Sequence, residues 1–122
     1  MPKKILIVED DSFLQGLTAS KLSKDGYTIL VAGNGEDAVK IADAEKPDFV
    51  LLDLVLPAMD GFEVLAKIRK NDALKKIPVI IFSNLAEEKD MIKARDLGAN
   101  EYMVKSNFTL DELAAKIKEM LK

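Results

Sequence analysis

Four apolar runs in this 122-residue chain each end on side chains that can do chemistry. Ile5-Leu6-Ile7-Val8 meets Glu9-Asp10-Asp11, Phe49-Val50-Leu51-Leu52 meets Asp53, Val79-Ile80-Ile81-Phe82 meets Ser83, and Tyr102-Met103-Val104 meets Lys105. Carboxylates brought together in a partly buried pocket repel one another and persist only where a cation offsets them. With no cysteine and no histidine in the chain, the available ligands are oxygens. That set suits Mg²⁺, held by a few carboxylates, a backbone carbonyl, waters and a phosphate oxygen, rather than zinc or copper. Ca²⁺ is disfavoured, because the loops lack the spaced Asp/Asn/Gly pattern of a calcium loop.

A carboxylate is also a nucleophile toward phosphorus and gives an aspartyl phosphate. Asp53 is the best-placed candidate. A phosphoryl group in flight spreads its charge over its oxygens, so such a site must supply positioning and positive charge, here Mg²⁺ and Lys105. Ser83 can donate a hydrogen bond to a phosphoryl oxygen. Without histidine, serine–histidine triads are excluded and any phosphohistidine must come from a partner.

These ends can meet only if the runs lie side by side. Short continuous apolar runs read as strands buried on both faces, and Tyr27 to Ala32, of more mixed character, reads as a further strand nearer an edge. Helical spacing is clearest in Leu110, Leu113, Ala114, Ile117 and Leu121, preceded by a capping box of Thr109 and Glu112. Gly61, Val64, Leu65 and Ile68 give a second stripe, Leu14, Leu17 and Leu22 a third, and Ala38, Ile41 and Ala42 a fourth; Ala86 to Leu97 is the least amphipathic. Asp11 or Ser12 is expected to cap the first helix, Asp60 to cap or form a turn before the third, and Asn84, with Glu87 behind it, to cap the fourth. Strand and helix thus alternate five times, which predicts an α/β fold: a doubly wound parallel sheet with helices on both faces. In such sheets ligands bind beyond the carboxyl ends of the strands, where Glu9, Asp10, Asp53, Ser83 and Lys105 fall.

Hydrophobic residues at 48% and charged residues at 32% are a globular balance, and residues 1–122 are expected to form one domain with no output domain. A net charge of −3 with both signs interspersed offers no basic face, so direct nucleic-acid binding is not expected. The apolar run before Glu9 is too short for a signal peptide or a membrane span, which predicts a cytoplasmic protein.

Ile7-Val8-Glu9-Asp10-Asp11, Asp53 within Leu52-Asp53-Leu54-Val55-Leu56-Pro57-Ala58-Met59-Asp60-Gly61, Ser83, and Tyr102-Met103-Val104-Lys105 together resemble the receiver domains of two-component response regulators. The likeness covers the whole chain. It implies a five-stranded flavodoxin-like, CheY-like sheet of order 2-1-3-4-5. By position it makes Asp53 the phosphoacceptor, Glu9 and Asp10 the acidic pair for Mg²⁺, and the Val55 carbonyl a backbone ligand. Ser83 resembles the switch hydroxyl, Lys105 the pairing lysine, and Tyr102 an aromatic that changes rotamer with the switch, although Tyr102 reads equally as a packed, half-buried aromatic. The resemblance further implies a sensor histidine kinase or histidine phosphotransfer protein as donor. A downstream target is implied at the face made by the fourth and fifth helices and fifth strand, on a monomer or a weak phosphorylation-dependent dimer. Such a domain is not a metabolic enzyme: it assists its own phosphorylation and its own dephosphorylation.

Two departures matter. The family usually has Lys-Pro with a cis peptide after the lysine, but Ser106 follows Lys105 here. A non-proline cis bond costs about 3–4 kcal/mol, which leaves that geometry open to replacement by a trans turn. The positions two residues beyond Asp53 and Ser83, which tune phosphoryl lifetime in the family, are Val55 and Leu85; neither can orient a water, which predicts slow self-dephosphorylation. Three rival functions are weaker. An aspartyl-phosphate hydrolase wants an acid where Val55 stands. A nucleotide or flavin module wants a glycine-rich loop where Glu9-Asp10-Asp11 stands. A receiver-like platform that is never phosphorylated has no need of the intact acid, serine and lysine set.

Overall fold

The computed structural model describes residues 2–122, with Met1 outside the described range. Strands and helices alternate as β1 (Lys4–Val8), α1 (Ser12–Lys24), β2 (Thr28–Ala32), α2 (Gly35–Glu45), β3 (Phe49–Leu52), α3 (Gly61–Lys70), β4 (Val79–Ser83), α4 (Glu88–Asp96), β5 (Glu101–Val104) and α5 (Leu110–Met120). All strand pairings are parallel, in the order β2-β1-β3-β4-β5. The three central strands are the continuous apolar runs, and the two of mixed character are the edges.

Because side chains alternate along a strand, the sheet feeds two cores. Leu6, Val8, Val50, Leu52 and Ile81 pack with Ala38, Ala42, Val64, Leu65, Ile68 and Ala94 of α2, α3 and α4. Ile5, Ile7, Phe49, Leu51, Ile80 and Met103 pack on the other face with Leu22, Leu113 and Ile117 of α1 and α5.

Register sets what meets at the carboxyl edge. Val8 is paired with Leu52, so Glu9 and Asp53 leave the sheet side by side, and Ser83 is paired with Val104, one residue before Lys105. The chain past Lys105 keeps a trans peptide, as do all described residues, and closes into a 3₁₀ turn over Lys105–Asn107 before α5. The expected capping box is present there, Glu112 N–H donating to Thr109 Oγ1 and Thr109 N–H to Glu112.

Two expectations for the helices need correction. Leu17 does not join the buried line of α1; it is exposed, and the line runs through Thr18 and Leu22 at i+4 spacing. Thr18 can occupy a core position because its hydroxyl donates to Leu14 O at 2.8 Å within the helix. Asn84 does not cap α4, which starts later, after Glu87, and without a side-chain cap. In the segment ahead of it, the Leu85 N–H donates to Ser83 Oγ and the Leu85 carbonyl accepts from the Tyr102 hydroxyl, so this stretch is tied to β4 and β5. Asp11 and Asp60 do cap α1 and α3.

One backbone position in the loop after β3 is strained. Ala58 has φ of 63°, in the left-handed region where a Cβ crowds the following carbonyl. Ala58→Gly is therefore expected to raise stability by about 1 kcal/mol, after allowing for glycine's greater freedom in the unfolded chain. Urea denaturation checks this; a neutral or destabilising result would show that the loop relaxes without strain.

Candidate functional site

Glu9 is the first residue beyond β1 and Asp53 the first beyond β3, and each is only 5% exposed. Asp10, between Glu9 and the helix cap Asp11, is exposed. One carboxylate oxygen from each of Glu9, Asp10 and Asp53 lies within 4.8 Å of the others. A cluster of hard oxygen ligands with two buried members fits a divalent cation such as Mg²⁺.

The Lys105 ammonium reaches into this cluster. Its Nζ is 2.5 Å from Glu9 Oε1 and 2.6 Å from Asp53 Oδ2. The remaining oxygens take backbone donors: Asp11 N–H to Glu9 Oε2 at 3.1 Å and Val55 N–H to Asp53 Oδ1 at 3.0 Å. Burial raises the Glu9 pKa, and the hydrogen bonds from Lys105 and Asp11 only partly counter it. Burial works to lower the Lys105 pKa but is outweighed by its bonds to Asp53 and Glu9 and by their charges, so the lysine is held firmly protonated.

Gly61, the first residue of α3, packs directly on the backbone under Asp53. A Cβ there would overlap the Asp53 carbonyl and come within 2.6 Å of Leu54 Cα. The Gly61 N–H also donates to Leu54 O at 2.9 Å. Glycine is thus required by close approach, and it fixes the loop on which Asp53 and Val55 are carried.

Ser83 is fully buried at the end of β4, and its Oγ accepts the Leu85 N–H at 3.3 Å, which leaves the hydroxyl proton free to be donated. Tyr102 is half-buried, its hydroxyl donating to Leu85 O at 2.5 Å. Burial first, then the charges of Asp90 and Asp53, push the Tyr102 pKa up to about 12, so the phenol remains a donor. Through Leu85, Ser83 and Tyr102 thus grip the same loop between β4 and α4.

The structure brings together Glu9, Asp10, Asp53 and Lys105, with the Val55 amide bonded to Asp53, while Ser83 ends β4 at the same edge of the sheet with its hydroxyl bonded to Leu85. Sequence reasoning did not anticipate the amides of Asp11 and Val55 or the Gln15 side chain, whose Nε2 donates to Glu9 O at 2.9 Å. Backbone donors carry no residue signature, and a glutamine in the first turn of a helix is unremarkable.

A family model for the response regulator receiver domain matches residues 5–118. The alkaline phosphatase synthesis transcriptional regulatory protein PhoP of Bacillus subtilis (strain 168) is 37% identical over 122 residues, 100% of this chain and 50% of that protein. The chain spans about half the length of the curated relatives it matches. A CheY-like response regulator receiver domain protein of Methanospirillum hungatei JF-1 superposes with a TM-score of 0.93 at 29% identity, covering 99% of this chain and 94% of that one. The receiver domain of a sensor histidine kinase of Pseudomonas aeruginosa PAO1, whose structure has a magnesium ion coordinated in the active site cleft, superposes with a TM-score of 0.87 at 28% identity, covering 98% and 97%.

Proposed function

The chain belongs to the response regulator receiver domain family, and on that premise we propose that Asp53 is the residue that takes the phosphoryl group. Phosphoryl acceptance in two-component signalling is the function of this family. What carries the assignment to Asp53 is its geometry: a buried carboxylate at the carboxyl edge of the central strand, sharing one lysine ammonium with Glu9.

In the transfer, an Asp53 oxygen bonds to phosphorus as the bond from phosphorus to the donor's histidine nitrogen breaks; the electron pair leaves with the imidazole, which is reprotonated from solvent. The Val55 N–H holds one Asp53 oxygen and so fixes the plane of the carboxylate. Lys105 pairs with the incoming phosphoryl oxygens, and the Ser83 hydroxyl donates to them. Glu9, Asp10, Asp53 and the Val55 carbonyl would hold Mg²⁺, which when bound would offset the charge of the acids and of the transferring group. The magnesium ion coordinated in the active site cleft of the Pseudomonas receiver supports the choice of cation.

Ser83 and Tyr102 share Leu85, so a shift of the serine toward a phosphoryl oxygen would disturb the loop that also holds the tyrosine. Tyr102 lines a groove of about 280 Å³ between α4 and β5, together with Ile92, Arg95 and Glu101. That groove is the surface through which phosphorylation alters partner binding in this reading. The donor is a sensor histidine kinase or a histidine phosphotransfer protein. Among the described residues no helix is long and apolar enough to cross a membrane.

Intact-mass analysis after incubation with acetyl phosphate and Mg²⁺ tests the reading. One added phosphoryl group, absent when a chelator is present, is the expected result. An unmodified mass with Mg²⁺ shown to bind would sink it in favour of an unphosphorylated docking module.

The phosphorylated state is expected to be long-lived. Val55 is exposed beside Asp53, and both it and Leu85 are apolar, so neither side chain orients a water toward phosphorus. Val55→Asn combined with Leu85→Gln is expected to speed decay by at least about tenfold, short of the 10²–10⁴ of a well-placed general base. Following the loss of phosphoryl mass with time measures it, and an unchanged decay rate would show that solvent access, not side-chain polarity, sets the lifetime.

A further inference from the structure

One side chain grips two carbonyls at the root of the acidic cluster. Gln15, in the first turn of α1, donates from Nε2 to Glu9 O at 2.9 Å and to Ala32 O at 3.3 Å. Ala32 O also accepts the Glu9 N–H at 3.0 Å. The ladder between β1 and β2 ends at the pair Val8 and Ala32, so beyond it no regular strand pairing fixes the Glu9–Asp10 peptide. The amide of Gln15 takes over there. A neutral group with two N–H donors suits two carbonyls, whereas a carboxylate would repel them.

The consequence falls on Asp10. Glu9 is held by Lys105 and the Asp11 amide, and Asp53 by Lys105 and the Val55 amide. Asp10 is exposed, and its carboxylate makes no hydrogen bond within the described residues. Its position is therefore set through the backbone, and the peptide that precedes it is the one whose carbonyl Gln15 holds. We propose that Gln15 is a positioning residue of the cation site: by pinning the Glu9–Asp10 peptide to the end of β2, it fixes where the Asp10 carboxylate meets those of Glu9 and Asp53. This rests on the Mg²⁺ reading of the site given above.

The test is calorimetric titration of the unphosphorylated chain with Mg²⁺ alone, for the wild type, Gln15→Met and Lys21→Ala. Methionine keeps the length of the side chain and removes both donors. Lys21→Ala removes the surface ion pair between α1 and α5, Lys21 to Asp111 at 2.5 Å, and so controls for a change elsewhere on α1 that leaves the loop untouched. Gln15→Met is expected to raise the Kd for Mg²⁺ about tenfold or more, the usual effect of losing a group that orients a metal ligand, with Lys21→Ala unchanged. Equal Kd values for the wild type and Gln15→Met would overturn the proposal and leave the Mg²⁺ site standing; no binding by the wild type would overturn both. Proton NMR of the wild type decides the matter should Gln15→Met fail to fold. The Gln15 side-chain amide protons are expected to be protected from exchange and to shift when Mg²⁺ is added, whereas exchange at the rate of a free glutamine, with no shift, would overturn the proposal.

Discussion

Asp53→Asn is expected to abolish phosphoryl uptake while leaving the fold intact. The amide is not a nucleophile toward phosphorus, so the loss should be complete rather than partial. The structural cost should be small, because an asparagine oxygen can still accept the Val55 N–H and the side chain keeps its volume beneath the site. Removing one of two buried negative charges that share a single lysine also relieves repulsion, so thermal stability should hold or rise slightly. Intact mass after exposure to acetyl phosphate and Mg²⁺, beside a thermal melt, separates the outcomes. A variant that still gains a phosphoryl group would move the chemistry to another acid, with exposed Asp10 and Asp11 the first to be sought by peptide mapping. A variant that loses uptake and also unfolds would make Asp53 a structural residue, against its assignment here.

The central sheet was legible because its strands are buried on both faces: Ile5 to Val8, Phe49 to Leu52 and Val79 to Phe82 need no neighbour to be recognised, and parallel pairing then brings their carboxyl ends to one edge. That placement brings Glu9, Asp10, Asp11 and Asp53 to one edge; the cap preference of Asp11 and the family resemblance then narrow the cluster to Glu9, Asp10 and Asp53. The helices were less legible where the buried face depends on neighbours. In α1 a threonine took the core position and a leucine was left exposed, since apolar content says nothing about which side faces the sheet. The segment ahead of α4 was hidden for another reason: Leu85 is bonded to Ser83 and to Tyr102, the latter 17 residues away, an arrangement only the folded chain creates. The same holds for the site's finer positioning. Gln15, the Asp11 amide and the Val55 amide act through backbone geometry, which the identity of a residue does not reveal.

Lys105→Met is expected to move two measurements in opposite directions: Mg²⁺ should bind more tightly, and phosphoryl transfer should slow. In the structure the ammonium lies at 2.5 and 2.6 Å from oxygens of Glu9 and Asp53, two of the carboxylates that would hold the cation. Lysine and metal therefore compete for the same carboxylates, and taking away the tethered cation leaves its compensation to the free one. Unit charges 4 Å apart at an effective dielectric of 20 interact by about 4 kcal/mol, so even partial relief of this competition should tighten Mg²⁺ binding by at least about tenfold. Loss of a donor aimed at the transferring group should cost about 10²–10³ in the rate of phosphorylation at saturating Mg²⁺. The metal-free variant should also be less stable, since breaking a buried ion pair strands its acids, and added Mg²⁺ should restore stability more than it does in the wild type. A lysine that merely packed against the cluster would weaken all three together. Tighter metal binding with slower transfer is the pattern expected of a lysine that serves first as the counter-ion of the resting site and then as a partner of the phosphoryl group.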